Sequence, residues 1–251
     1  MAYLTIVFCH GAWHNVHFFD KVIAILEPLG YRCVTVPLPS ASGRVPPTTS
    51  LDEDIAPIRS AVLKELDAGH DVLINAHSWG GIPASTALEG LTKPERLADG
   101  KTTGVIKMTY VAAFVLPEDM SLQDFVGGPQ PTWIVDDDGN LIHKGDPRDI
   151  FYHDVDPKEA DEWTAKLKSQ SLASFTTKTT SAAWKKIPAE YLVCENDRAV
   201  PAVFQDIMIG KMKEAGADVS TTRLSTAHSP YLNKPDAVAD FLKTSFAKSS
   251  Q

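Results

Sequence analysis

Val72-Leu73-Ile74-Asn75-Ala76-His77-Ser78-Trp79-Gly80-Gly81 is the stretch on which the reading of this chain turns. An apolar strand stops abruptly at a serine held between small residues. This is the sequence form of a nucleophile elbow, a strand–turn–helix corner that lifts a hydroxyl clear of a sheet. The corner is tight, so the positions two before and two after the serine must be nearly bare of side chain. Here they are Ala76 and Gly80, and Ala76 adds a methyl where the pattern has its first glycine. The run alone does not separate an elbow from a plain βα turn, because Ser and Gly are common in ordinary turns. The rest of the chain must arbitrate.

Outward from the elbow, segments of strand length alternate with segments of helical spacing. Strands are expected over residues 3–9, 32–36, 71–76, 104–113, 189–194 and 218–224. Helices are expected over 18–29 (closed by Gly30), 80–91, 201–215 and 235–246, and from Ser50 to Gly69. Ser50 and Glu53 have the spacing of a capping box. Such alternation implies a mostly parallel sheet with helices on both faces, and such sheets bind ligands at the carboxyl ends of their strands. From about 117 to 187 the alternation lapses into a polar, irregular stretch. It carries turn signals around Asp136 to Asn140 and the aromatics Phe125, Trp133, Phe151, Tyr152, Trp163, Phe175 and Trp184. We read it as an insertion lying over the strand ends as a cap. Helix-like spacing marks Trp163, Phe175 and Trp184 as packing residues.

A serine hydroxyl needs a base to take its proton, and the base needs an acid to fix its tautomer. Two later strand ends offer them. The run Tyr191-Leu192-Val193-Cys194 leads into Glu195-Asn196-Asp197-Arg198, and Asp197 stands between the strand end and a helix opening at Pro201. Glu195 is the rival acid, closer to the strand and without a comparable turn. Past Leu224 comes Ser225-Thr226-Ala227-His228-Ser229-Pro230, with His228 in a strand-end loop. The expected catalytic set is therefore Ser78, Asp197 and His228. A developing oxyanion needs preorganised donors, expected from the backbone N–H groups of Trp79 and of Ala12 in the first strand–helix loop. Trp13, His14, Phe125 and Trp133 are the candidate pocket residues.

His10-Gly11-Ala12-Trp13-His14, His77-Ser78-Trp79-Gly80-Gly81, Asn196 to Pro201 and Ala227 to Pro230 together resemble the α/β-hydrolase superfamily. The resemblance is to the branch of plant methylesterases, hydroxynitrile lyases and bacterial pyrethroid-type esterases. It implies a single domain over 1–251 with an inserted cap subdomain over 117–187. It also implies Ser78 as nucleophile, Asp197 as acid, His228 as base, and Ala12 and Trp79 as oxyanion donors. The lyases of the branch carry a threonine after the first-loop histidine and a lysine just after the catalytic one. Gly11 and Ser229 stand at those positions here, which favours hydrolysis of an ester or lactone.

Composition sets the remaining bounds. A chain of 251 residues with 43% hydrophobic and 22% charged residues suits one large globular enzyme domain. The net charge of −8 argues against nucleic acid or an anionic membrane as partner. The N-terminal run lacks a basic region and a cleavage site, and Cys9, Cys33 and Cys194 are unspaced for disulfides, so a reducing cytoplasm is expected. The expected partner is a small hydrophobic ester or lactone, with no cofactor and no metal, in a monomer or homodimer. Three other readings stay in view. His10, His14 and His17 recur at ligand-like spacing but lack a completing carboxylate. A small-molecule receptor can keep an intact triad. A lyase of the hydroxynitrile type shares the motifs.

Overall fold

Apolar runs that reach strand length before a glycine, proline or polar turn stops them pair side by side, and one polar strand completes the sheet. The structure is a computed structural model that describes residues 5–247. The expected strand positions 3 and 4 and the tail from Lys248 to Gln251, expected to fray, lie outside the described residues. In chain order the strands are β1 (Thr5–Cys9), β2 (Arg32–Val36), β3 (Val72–His77), β4 (Val105–Val111), β5 (Trp133–Val135), β6 (Asn140–His143), β7 (Gln170–Ser171), β8 (Ala189–Cys194) and β9 (Val219–Leu224). The main sheet runs β2-β1-β3-β4-β8-β9, and every pairing in it is parallel.

Strands β1, β3 and β8 are buried along their whole length, as parallel strands covered on both faces must be. The two-residue period divides their side chains between two cores. Val7, Cys9, Ile74 and Ala76 enter one core, whereas Ile6, Phe8 and Leu73 enter the other. The chain leaves β1 towards β2, then returns to place β3 on the opposite side of β1. That reversal leaves a crevice between the carboxyl ends of β1 and β3, where the Gly11 loop and Ser78 lie together.

Local details depart from the sequence pattern. Glu53 reaches back to the N–H of Thr49 at 2.7 Å, while Ser50 Oγ accepts from the N–H of Asp52 at 3.2 Å. The cap of helix Asp52–Asp67 is thus shared between two residues, because Leu51 at the helix entrance has no side-chain acceptor. After the elbow a single 3-10 turn, Ser78–Gly80, leads into a short helix Gly81–Thr86. The expected helix to residue 91 is cut short as the chain turns through Gly90 at φ 73°. A further helix, Lys93–Ala98, follows a capping box of Thr92 and Glu95.

Between β4 and β8 the stretch expected to be irregular holds a second sheet, the antiparallel trio β5-β6-β7, and several short helices. Asp136 Oδ1 accepts from the N–H groups of Asp138 and Asn140 at 3.1 and 2.7 Å, which folds the β5–β6 hairpin. Turn chemistry was visible there. The strands were not, because they are only three and four residues long. No helix among the described residues is long and apolar enough to cross a membrane.

Candidate active site

Ser78 follows β3 directly and adopts φ 52°, a left-handed conformation that costs a non-glycine residue roughly 1–2 kcal/mol. The strain is held from both sides. The Ser78 carbonyl accepts from the N–H of Phe114 at 3.0 Å, and Gly80 and Gly81 let the chain turn against neighbouring backbone. Ala76 is fully buried within a core, so the methyl in place of the first glycine is packed there. The bare positions that the corner needs are Gly80 and Gly81, where a Cβ would run into backbone, while a Cβ at Gly11 would press on Ser78 and His77.

The loop after β8 carries Asp197. Its Oδ1 accepts from the N–H groups of Ala199 and Val200, both at 2.8 Å, as an Asp in a turn commonly does. Its Oδ2 accepts from His228 Nδ1 at 2.7 Å, with both side chains buried. This bond fixes the imidazole proton on Nδ1 and leaves Nε2 with its lone pair. Glu195, the rival acid, is exposed and paired with Arg223 at 3.0 Å.

His77 ties His228 to the elbow. Its Nε2–H donates to the His228 carbonyl at 2.9 Å, and the two rings lie 4.7 Å apart. Burial holds His77 well below the usual histidine range, with nearby His228 and His14 adding to the shift. Ser78 Oγ makes no hydrogen bond among the described residues and opens onto a cavity. Such bonds often close only when a reacting group is bound.

That cavity has a volume of about 330 Å³, near the lower end for small-molecule sites. Ala12, Trp13, Ser78, Trp79, Phe125 and Trp133 line it, gathering these expected site residues around the serine. The N–H of Ala12 has no hydrogen-bond partner among the described residues, so it stands free as a donor. Arg198 lines the cavity too, paired with Asp149.

One expectation needs correction. His14 does not line the cavity: its Nδ1 is taken by the Ala12 carbonyl and its Nε2 by the Tyr152 hydroxyl, both at 2.8 Å, which turns the ring into the core. Phe175 packs within the core, as expected of it, and its ring, 4.7 Å from that of Trp79, also forms part of the cavity wall. Trp184 packs as well, donating its indole N–H to the Leu116 carbonyl at 3.0 Å.

The histidine spacing resolves into separate contacts. His10 Nδ1 faces the Gly11 carbonyl and its Nε2 accepts from Leu38 N–H at 3.1 Å, whereas His17 is exposed beside Asp20. The three cysteines are free thiols. Burial pushes Cys33 up to about 12 and raises Cys9 and Cys194 well above the ordinary thiol range, so none presents a ready thiolate.

Sequence reasoning missed Gln205, which is fully buried. Its Oε1 accepts from Cys194 N–H at 3.1 Å and its Nε2 donates to the Val200 carbonyl at 2.7 Å, bracing the turn that carries Asp197. It missed Asp54 as well, a fully buried carboxylate held by the N–H and hydroxyl of Ser40. Burial raises the pKa of Asp54 to about 6 against the opposing pull of the Ser40 bonds. Neither residue lies in a recognisable motif, since each acts through tertiary partners.

Comparison with known proteins agrees with this architecture. The family model described as the alpha/beta hydrolase family matches residues 6–241. The alpha/beta hydrolase nvfD of Aspergillus novofumigatus is 32% identical over 95% of both chains. Methylesterase 1 of Arabidopsis thaliana is 24% identical over 93% of this chain and 90% of its own length. Among solved structures, a pyrethroid hydrolase from Sphingobium faniae JZ-2 superposes with a TM-score of 0.75 at 20% identity, covering 97% of each chain. Fold, sheet order and extended sequence match together make this chain a member of the alpha/beta hydrolase family.

Proposed function

We propose that this protein is a serine hydrolase that cleaves a carboxylic ester or lactone of a small hydrophobic substrate. The observation that carries the reading is the buried 2.7 Å bond between His228 and Asp197, formed beside an elbow serine that opens into an aromatic-walled cavity. Esterase-named relatives, among them the plant methylesterase above, support the same class.

In this reading the substrate carbonyl enters the cavity above Ser78. His228 Nε2 takes the hydroxyl proton as Ser78 Oγ attacks, and Asp197 holds the resulting imidazolium. The amides of Ala12 and Trp79 receive the oxyanion, and losing one such donor costs on the order of 3 kcal/mol of transition-state stabilisation. Collapse of the tetrahedral species expels the alcohol, protonated by His228, and leaves an acyl-enzyme. Water, deprotonated by the same histidine, releases the acid. Residues 117–187 serve as the cap, and their aromatic wall selects by shape and apolar contact. Lyase chemistry is disfavoured because Gly11 and Ser229 supply no cation for a leaving cyanide.

A panel of aryl esters and lactones, assayed with wild type and Ser78→Ala, tests the proposal. Turnover by the wild type alone is expected. Equal turnover by both proteins overturns the mechanism, and absence of turnover by either favours a receptor.

A further inference from the structure

The wall of the cavity also grips the two loops on which the proposed chemistry depends. The first is the loop after β1. Trp13 sits at φ 62°, a conformation that a bulky residue keeps only when its surroundings hold it there. Three hydrogen bonds from the β4–β8 segment do so. Trp13 Nε1–H donates to the Leu141 carbonyl at 3.0 Å, and Lys168 N–H donates to the Trp13 carbonyl at 2.9 Å. The third passes through His14. Burial lowers the pKa of His14 to about 3, so the ring is neutral and carries one N–H. That proton faces the Ala12 carbonyl, so Nε2 is the acceptor for the Tyr152 hydroxyl. Tyr152 thus fixes the ring that fixes the peptide next to the oxyanion donor.

The second loop carries the base. Two residues beyond Tyr152, Asp154 Oδ2 accepts from Ala227 N–H at 2.7 Å and from the Thr226 hydroxyl at 3.1 Å. Ala227 immediately precedes His228. Between the two grips lies Phe151, its ring 5.9 Å from Trp13 and 5.7 Å from His228. One four-residue run therefore touches both halves of the site.

We propose that Tyr152 and Asp154 are positioning residues: Tyr152 sets the Ala12 amide through His14, and Asp154 sets His228 through the Ala227 backbone. The inference rests on reading Ser78 as the nucleophile and Ala12 as an oxyanion donor.

The test is saturation labelling of the intact protein by a fluorophosphonate, which forms a P–O bond to the serine as fluoride leaves. Because the probe reports on the serine and oxyanion hole directly, no natural substrate is required. Wild type, Ser78→Ala, Tyr152→Phe, Asp154→Ala and Asp154→Asn are compared at equal thermal midpoints or with the midpoints recorded. Tyr152→Phe and Asp154→Ala are expected to lower the maximal labelling rate about tenfold, the rate equivalent of one net hydrogen bond, with the half-saturating probe concentration unchanged. Asp154→Asn keeps an acceptor for both donors and is expected to stay within about threefold of wild type. A purely structural role would shift the midpoint without this split. Wild-type rates in Tyr152→Phe and Asp154→Ala overturn the proposal, as does Asp154→Asn labelling as slowly as Asp154→Ala. Should Asp154→Ala fail to fold, Tyr152→Phe decides. A wild type that Ser78→Ala matches, or that is not labelled, removes the hydrolase reading and this inference with it; unaffected variants in a Ser78-labelled protein remove only this one.

Discussion

Gly80 faces Cys9 so closely that a Cβ on the glycine would stand 2.5 Å from the Cys9 carbonyl oxygen. The obstacle is backbone at the end of the interior strand β1, which cannot move aside as a side-chain tip could. Gly80→Ala is therefore expected to destabilise the fold by about 3 kcal/mol or more, at the upper end for overpacking. Ala76→Gly, which restores the first glycine of the pattern, is expected to lose about 1–2 kcal/mol through a lost buried methyl and a more flexible unfolded chain. Urea unfolding of both variants measures this. An Ala76→Gly protein more stable than wild type would show that the methyl strains the corner.

Asp197 presents one oxygen to two backbone donors, and that arrangement dictates what an amide would do there. In Asp197→Asn the amide oxygen must take the Oδ1 position, so the NH₂ group faces His228. His228 Nδ1 must then accept, which moves the ring proton to Nε2 and removes the base. Ester turnover is expected to fall about 10³–10⁴-fold with little change in KM. An Asp197→Asn enzyme within about tenfold of wild type would show that the carboxylate does not set the tautomer.

Acid should unfold this protein steeply. His10 and His14 are held to about 4 and about 3 by burial, and His77 lies well below the ordinary range. Below the unfolded histidine pKa the unfolded chain binds protons that the native state refuses, so stability falls as pH falls. Asp54 acts with the opposite sign. Its native pKa of about 6 exceeds the unfolded value, so the native state binds the extra proton between about pH 4 and 6. The buried histidines outnumber this aspartate, so the net effect in that window is a loss of stability as pH falls. Asp54→Asn removes the opposing contribution and should steepen the loss by about 1.4 kcal/mol per unit. Urea midpoints from about pH 4.5 to 7.5 test this, and an unchanged slope in Asp54→Asn would refute the assignment.

Most of the main sheet was legible because its strands are apolar runs with abrupt ends, whereas the polar β9 was placed by the resumed alternation of strand and helix. Ser78, Asp197 and His228 could be placed at the ends of β3, β8 and β9 from local sequence alone. The β5–β6 hairpin was hidden because Ile134, Val135 and Ile142 point outward on strands too short to show a period. His14 was misplaced for a different reason. Loop position brought it near the cavity, but its ring direction depends on Tyr152, 138 residues away. Asp154 and Ala227 are separated by 73 residues, and no spacing rule connects such partners.

None of Ser78, Asp197 and His228 lies in the excursion between β4 and β8, yet Phe125, Trp133, Phe151 and Phe175 of the cavity wall all do. On the proposed function, reactivity is written in the loops of the main sheet and much of the substrate choice in the excursion, with Trp13 and Trp79 adding to the wall from the sheet side. Segment exchange between relatives can carry a new preference onto an unchanged sheet, provided that the donor segment brings its own counterparts of Tyr152 and Asp154. Without them the graft is expected to deliver a new binding surface to a displaced oxyanion donor and a displaced His228.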